Sequence, residues 1–186
     1  MADFKKAYTI TKEFEGGYSN DFMDFGGETY KGVARKKHPS WVGWEYIDIY
    51  KNATIFPENA YQDLVLEDLV KAFYKTNFWD INLLDRFTSQ KIANEIFDTG
   101  VNMGYIKAAE FLQHALNVLN KNGRLWKDIS IDGDIGPNTL KAVQACLSYR
   151  DEEYLYKVMN ILQGNYYIEI MDKSSSQEKY AYGWLG

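Results

Sequence analysis

Apolar residues recur at helical intervals from the start of the chain, where Phe4, Ala7, Tyr8, Ile10 and Phe14 fall close to one face of residues 3–14. Gly16 and Gly17 follow, and two adjacent glycines predict the end of that helix and a turn. Through Gly32 the helical period dissolves into glycines and acidic residues, spaced by Tyr18, Phe22, Phe25 and Tyr30. That pattern predicts a loop or an irregular hairpin anchored by its aromatics. Pro39 and the WVGW segment at 41–44 predict another turn. Helical spacing returns over 57–73, in YQDLVLEDLVKAFY, and is strongest in QKIANEIFDTGVNMG (90–104) and YIKAAEFLQHALNVLN (105–120). Gly104 is expected to separate or kink the last two. After the turn signals NG and DGDIGPNT, Thr139 opens a short helix in LKAVQACL, and another runs over 153–171. A polar SSSQEK stretch then precedes the aromatic tail YAYGWLG. No sustained alternation predicts a large sheet, and no internal repeat stands out. The expectation is a mainly α fold with one small irregular hairpin near the N-terminus.

Composition narrows what such a fold does. The 186 residues, 46% of them hydrophobic, suffice for one domain or two small ones with a sizeable core. Tyrosine and tryptophan are abundant, and both bury apolar area while keeping a polar edge suited to a wet groove. A net charge of −5 without an arginine-rich block argues against bulk attraction to nucleic acid. The lone Cys146, inside the apolar LKAVQACL, excludes a disulfide within the chain and reads as a buried structural thiol. His38 and His114 stand far apart, which excludes a histidine-rich metal centre and argues against a Ser-His-Asp triad. Residues 128–139 imitate the start of a calcium loop with Asp128, Ser130, Asp132, Gly133 and Asp134. Thr139 holds the twelfth position where a bidentate glutamate belongs, and Pro137 constrains the wrap, so no metal and no cofactor is expected. MADFKKAY lacks the apolar run of a signal peptide, and no stretch reaches membrane-spanning length. The expectation is a monomer without membrane insertion, made in the cytoplasm and dependent on release or a separate export system to act outside it.

The stretch EFEGGYSNDFMDFGG (13–27) carries the candidate chemistry. A carboxylic acid at a helix end, backed by aromatics, has its pKa raised by desolvation, which suits a group that protonates a leaving oxygen. Glu15 holds that position, just before the two glycines. Asp24 lies nine residues on, where a loop folding back would set a second carboxylate opposite with room for water. The hydroxyl of Thr29 suits orienting that water, and Asp21 and Glu28 are rivals for the base. A plain turn, or a noncatalytic binding loop, accounts for the same residue types.

The run EGGYSNDFMDFGGETYKGV (15–33) resembles the signature of the glycoside hydrolase family 108 N-acetylmuramidases, related by fold to phage-type lysozymes. Glu15, Gly16, Gly17 and Tyr18 match its E-G-G-Y; Asp24, Gly26, Gly27 and Thr29 match D-x-G-G-x-T; Gly32 and Val33 match the closing G-[IV] pair. FDTGVNMGYIKAAEFLQHAL and IDGDIGPNT resemble the peptidoglycan-binding region that accompanies these enzymes, through Asp98, Asn102, Gly104, Ala109, Leu112 and Gln113, then Asp132, Gly133, Gly136 and Thr139. The resemblance implies a lysozyme-like α+β fold, with a muramidase region over 1–90 packed against a peptidoglycan-binding region over 91–186. It implies Glu15 as the acid, Asp24 as the base or water-positioning group with Thr29 beside it, and Tyr18, Asp98, Asn102 and Gln113 along a glycan groove. Asp98 and Asn102 equally fit a hydrogen bond along one helix face, and Gln113 a surface helix position. Trp41, Trp44, Trp79, Trp126 and Trp184 stand as core residues or sugar platforms. The implied activity is hydrolysis of peptidoglycan glycan strands; lytic transglycosylation and a noncatalytic binding or export-accessory role are the alternatives.

Overall fold

A computed structural model of the chain describes residues 1–12, 16–20 and 27–185. Glu15 and Asp24, like Asp21, lie outside the described residues. The fold is mainly α, with a small antiparallel sheet near the N-terminus, the lysozyme-like class expected. The chain divides into two compact units, Tyr8–Asn77 and Met1–Ala7 with Phe78–Gly186. Helix α1 (Phe4–Lys12) begins in the second of these and continues into the first.

In the unit of residues 8–77, strands β1 (Tyr18–Asn20), β2 (Glu28–Tyr30) and β3 (Val33–Ala34) form the sheet in the order β1-β2-β3. Tyr18 pairs with Tyr30 and Ser19 with Thr29, while Tyr30 also pairs with Val33. The β2–β3 loop is therefore two residues, Lys31 and Gly32, at φ of 43° and 79°. Positive φ at both positions matches the right-handed twist of the strands, the geometry favoured in two-residue hairpins. Helices α2 (Gly43–Tyr50), α3 (Glu58–Tyr61) and α4 (Leu64–Tyr74) complete the unit. Its core is Tyr30, Val33, Trp44, Ile47, Leu66 and Val70, all buried.

Two expectations for this unit change. WVGW is a helix entry rather than a bare turn, because Gly43 leaves room for the Trp41 ring, which would lie 2.2 Å from a Cβ at that position. Trp41 then meets Trp44 edge-on at 5.2 Å. The pattern over 57–73 forms two helices, because the Asp63 side chain accepts from the backbone N–H groups of Val65 and Leu66 at 2.7 and 3.0 Å and restarts the helix there.

The other unit is a helical bundle. Helix α5 (Gln90–Met103) starts at Ser89, whose hydroxyl caps Ile92 N–H, and stops at Gly104, where φ is +93° and α6 (Tyr105–Leu119) begins. Helix α7 (Pro137–Tyr149) has proline at its first position, where no N–H is missed. Helix α8 (Glu152–Lys173) is capped by Asp151. A 3-10 turn (Ser175–Tyr180) leads to α9 (Ala181–Leu185), whose Trp184 stacks on Tyr167 at 4.6 Å. The core joins Ile92, Ile96, Phe97, Leu112 and Leu116 with Trp79, which is fully buried and donates to Asp85 at 2.7 Å, leaving it no surface for a sugar. Cys146 is buried, as its apolar surroundings predict. Among the described residues, no helix is long and apolar enough to cross a membrane.

Candidate functional site

The front unit holds a cavity of about 230 Å³ lined by Tyr8, Thr11, Lys12, Gly16, Gly17, Lys31, Tyr61 and Tyr74. Gly16 and Gly17 directly follow Glu15 in the chain, so two of the lining residues belong to the E-G-G-Y motif. The glycines have a physical reason. A Cβ at Gly17 would sit 2.2 Å from the Tyr61 hydroxyl, and that hydroxyl accepts the Tyr18 N–H at 2.6 Å. Tyr61 thus holds the backbone just after the glycines, and only a residue without a side chain lets it approach.

The opposite wall is the β2–β3 hairpin. Lys31 N–H donates to Gly17 O at 2.9 Å, and Lys31 O accepts from the Tyr74 hydroxyl at 3.0 Å. These bonds support a lysine in a left-handed conformation that non-glycine residues seldom adopt. Its ammonium reaches Glu67 Oε2 at 2.6 Å, while Lys12 reaches Glu67 Oε1 at 2.5 Å. Burial alone would raise the Glu67 pKa, but the two ammoniums prevail and hold it below the usual glutamate value. The Lys31 ammonium also lies over the Tyr30 and Tyr61 rings, at 5.6 and 5.8 Å.

A second charged cluster braces the strands. Glu28 accepts from the Tyr18 hydroxyl at 2.9 Å and pairs with Lys51 and with Arg35, the last at 2.8 Å. Arg35 in turn clasps Asp48 through two nitrogens at 3.0 and 2.6 Å. A glutamate held by two cations and a phenol is fixed in place, which suits bracing rather than water activation. Burial, and then the Glu28 hydrogen bond and charge, raise the Tyr18 pKa, so the phenol stays neutral. Thr29 lies on β2 beside the cavity wall, its hydroxyl donating to Gly27 O at 3.2 Å.

The structure thus brings Tyr18, Glu28 and Thr29 together on one hairpin. Asp98 and Asn102 belong to the other unit, one turn apart on α5, where the Asn102 amide donates to Asp98 O and Oδ2 at 3.0 and 3.1 Å. Gln113 departs from both sequence readings, being neither a surface residue nor open to a glycan. It is 1% exposed, its amide donates to Asp132 Oδ1 and Asp134 O, and its oxygen accepts the N–H groups of Asp132 and Gly133. It is the buried template for the DGDIGPNT turn. Sequence reasoning missed Lys12, Tyr61 and Glu67, which carry no motif and meet only after folding. It also missed Lys31, for which the YKG turn was the available signal.

The fold is lysozyme-like, and its front unit holds a cavity lined by tyrosines, two lysines and the glycines of the E-G-G-Y motif. The Glycosyl hydrolase 108 family model matches residues 8–104, and the Predicted Peptidoglycan domain model matches residues 107–186. The chain belongs to the Glycosyl hydrolase 108 family, and the two matches in this order make it a peptidoglycan-degrading hydrolase. A solved structure titled "Structure of Brucella abortus SagA" is similar in fold, with a TM-score of 0.59 and 17% identity over 98% of this chain and 95% of that one. No curated protein matches the chain significantly.

Proposed function

We propose that the protein is an N-acetylmuramidase that hydrolyses the β-1,4 bond between N-acetylmuramic acid and N-acetylglucosamine by acid-assisted inversion. The observation that carries this is the cavity whose wall includes Gly16 and Gly17, the residues next to Glu15 in the E-G-G-Y motif. In this reading Glu15 protonates the leaving glycosidic oxygen. Asp24 takes a proton from the attacking water, and Thr29 orients it from β2. Tyr18, Asp98 and Asn102 contact the glycan, with residues 1–90 carrying catalysis and 91–186 engaging the strand outside the cytoplasm after release or export.

Glu15→Gln keeps volume and hydrogen bonding but has no acid proton to deliver. Release of reducing ends from insoluble peptidoglycan is expected to fall at least about 100-fold, with a melting temperature equal to or above that of wild type. Asp24→Asn is expected to be impaired and Asp21→Asn mild. Near-wild-type turnover by folded Glu15→Gln would overturn the acid assignment. Products whose terminal muramic residue lacks one water would replace hydrolysis with transglycosylation.

A further inference from the structure

We propose that the cavity behind Gly16 and Gly17 is a subsite for a carboxylate of the substrate, read by Lys12 and Lys31. The choice of ligand rests on the muramidase reading, because muramic acid carries a lactyl carboxyl group and N-acetylglucosamine carries none. In intact wall that carboxyl is bound to a stem peptide, which brings carboxylates of its own. Both sources offer the same chemistry.

Several observations converge on it. Lys12 and Lys31 both line the cavity, one from α1 and one from the hairpin tip, 19 residues apart in sequence. They share the single carboxylate of Glu67, so the described triad keeps one net positive charge in a chain whose total is −5. Each ammonium has three donors, and Glu67 takes one from each. The remaining lining is Thr11, three phenol rings and glycine backbone, a setting less polar than bulk water that strengthens a charge pair formed there. The two lysines hold the Glu67 pKa below the usual glutamate value, so the three charges form one linked group. Lys31 is the sharper of the two, with a side chain 17% exposed against 43% for Lys12.

A purely structural clamp would use the same ion pairs, and the sign of two substitutions separates the readings. Lys31→Gln removes a positive charge, whereas Glu67→Gln removes the competing negative one. Both are made with Glu15→Gln to prevent cleavage, and melting curves are recorded for each. Equilibrium dialysis then uses a tetrasaccharide of alternating N-acetylglucosamine and N-acetylmuramic acid with free lactyl carboxylates. The same sugar with those groups reduced to alcohols is the control, and a stem-peptide-bearing form is the third probe.

Lys31→Gln is expected to weaken binding of a carboxylate-bearing probe about tenfold and to leave the reduced sugar unchanged. Glu67→Gln is expected to tighten it severalfold. Lysine dependence confined to the free lactyl probe assigns the carboxylate to the sugar, and dependence with the peptide-bearing probe assigns it to the stem. Equal weakening of carboxylate and reduced probes by both substitutions, or equal affinity of the Glu15→Gln parent for the two, would overturn the subsite. Failure of wild type to release reducing ends from peptidoglycan would overturn the muramidase reading while leaving these binding ratios intact.

Discussion

Glu95 sits on α5 three residues before Asp98, in the seam with α8, where the Thr99 hydroxyl approaches it at 3.5 Å and the Asn160 amide hydrogen-bonds to it. Burial, with the nearby Asp98 charge adding to it, raises its pKa to about 7 against those hydrogen bonds and Lys91. The unfolded chain releases this proton near 4.5, so the folded state binds more protons between 4.5 and about 7. The favourable contribution is complete below 4.5 and is lost as pH rises through about 7. The loss is up to about 3 kcal/mol, from the linkage between pKa and stability. Glu95→Gln is expected to match wild type in denaturant unfolding near pH 4.5 and to be clearly more stable at pH 8. Equal stability of the two proteins at pH 8 would mean that the carboxyl is solvated. A glutamate amid the helical pattern of QKIANEIFDTG gives no hint of this, because desolvation is a property of the packed seam.

At the scale of elements, the glycines leading into β1 and the β2–β3 hairpin are joined through Gly17 and Lys31, with Tyr61 holding Tyr18. The two glycines at 16 and 17 look equivalent in sequence, yet among the described residues a Cβ at Gly16 meets nothing within 4 Å, while at Gly17 it meets Tyr61. Gly17→Ala is therefore expected to displace Tyr61 and lower stability by about 1–3 kcal/mol, the usual cost of overpacking. Gly16→Ala is expected to stay within about 0.5 kcal/mol of wild type. Thermal melts of the two variants check this, and equal losses would show that the turn yields rather than the tyrosine. Helical periodicity located α1, α5, α6 and α7 because each presents an apolar stripe over several turns, while the apolar residues of α8 are spread around the helix. It misread the start of α2 and the break before α4, where a tryptophan packing on a glycine and an aspartate cap decide the outcome.

For the whole molecule, the N-terminal residues belong to the same compact unit as the helical bundle. Ala2 N–H donates to Phe87 O at 2.8 Å, and Asp3 N–H to Gln90 Oε1 at 2.7 Å. Phe4 sets its ring against Trp79 and Phe97, both at 5.7 Å. Phe4→Ala opens a gap beside two fully buried aromatics and is expected to cost about 3 kcal/mol in chemical denaturation, the scale of a large-to-small change against a core. A loss under about 1 kcal/mol would show that the segment only lies on the surface.

What the sequence determined by itself is what short-range physics encodes. Apolar spacing specified the long helices, glycines and a proline marked their ends, and the E-G-G-Y…D-x-G-G-x-T run identified the family and the candidate acid. Tertiary structure alone decided the rest. Gln113 became a buried template because the DGDIGPNT turn folds over it, and no local pattern distinguishes that from a surface glutamine. Lys12, Lys31 and Glu67 became one charged group because α1, a hairpin tip and α4 converge, and electrostatic partners 55 residues apart leave no periodic trace.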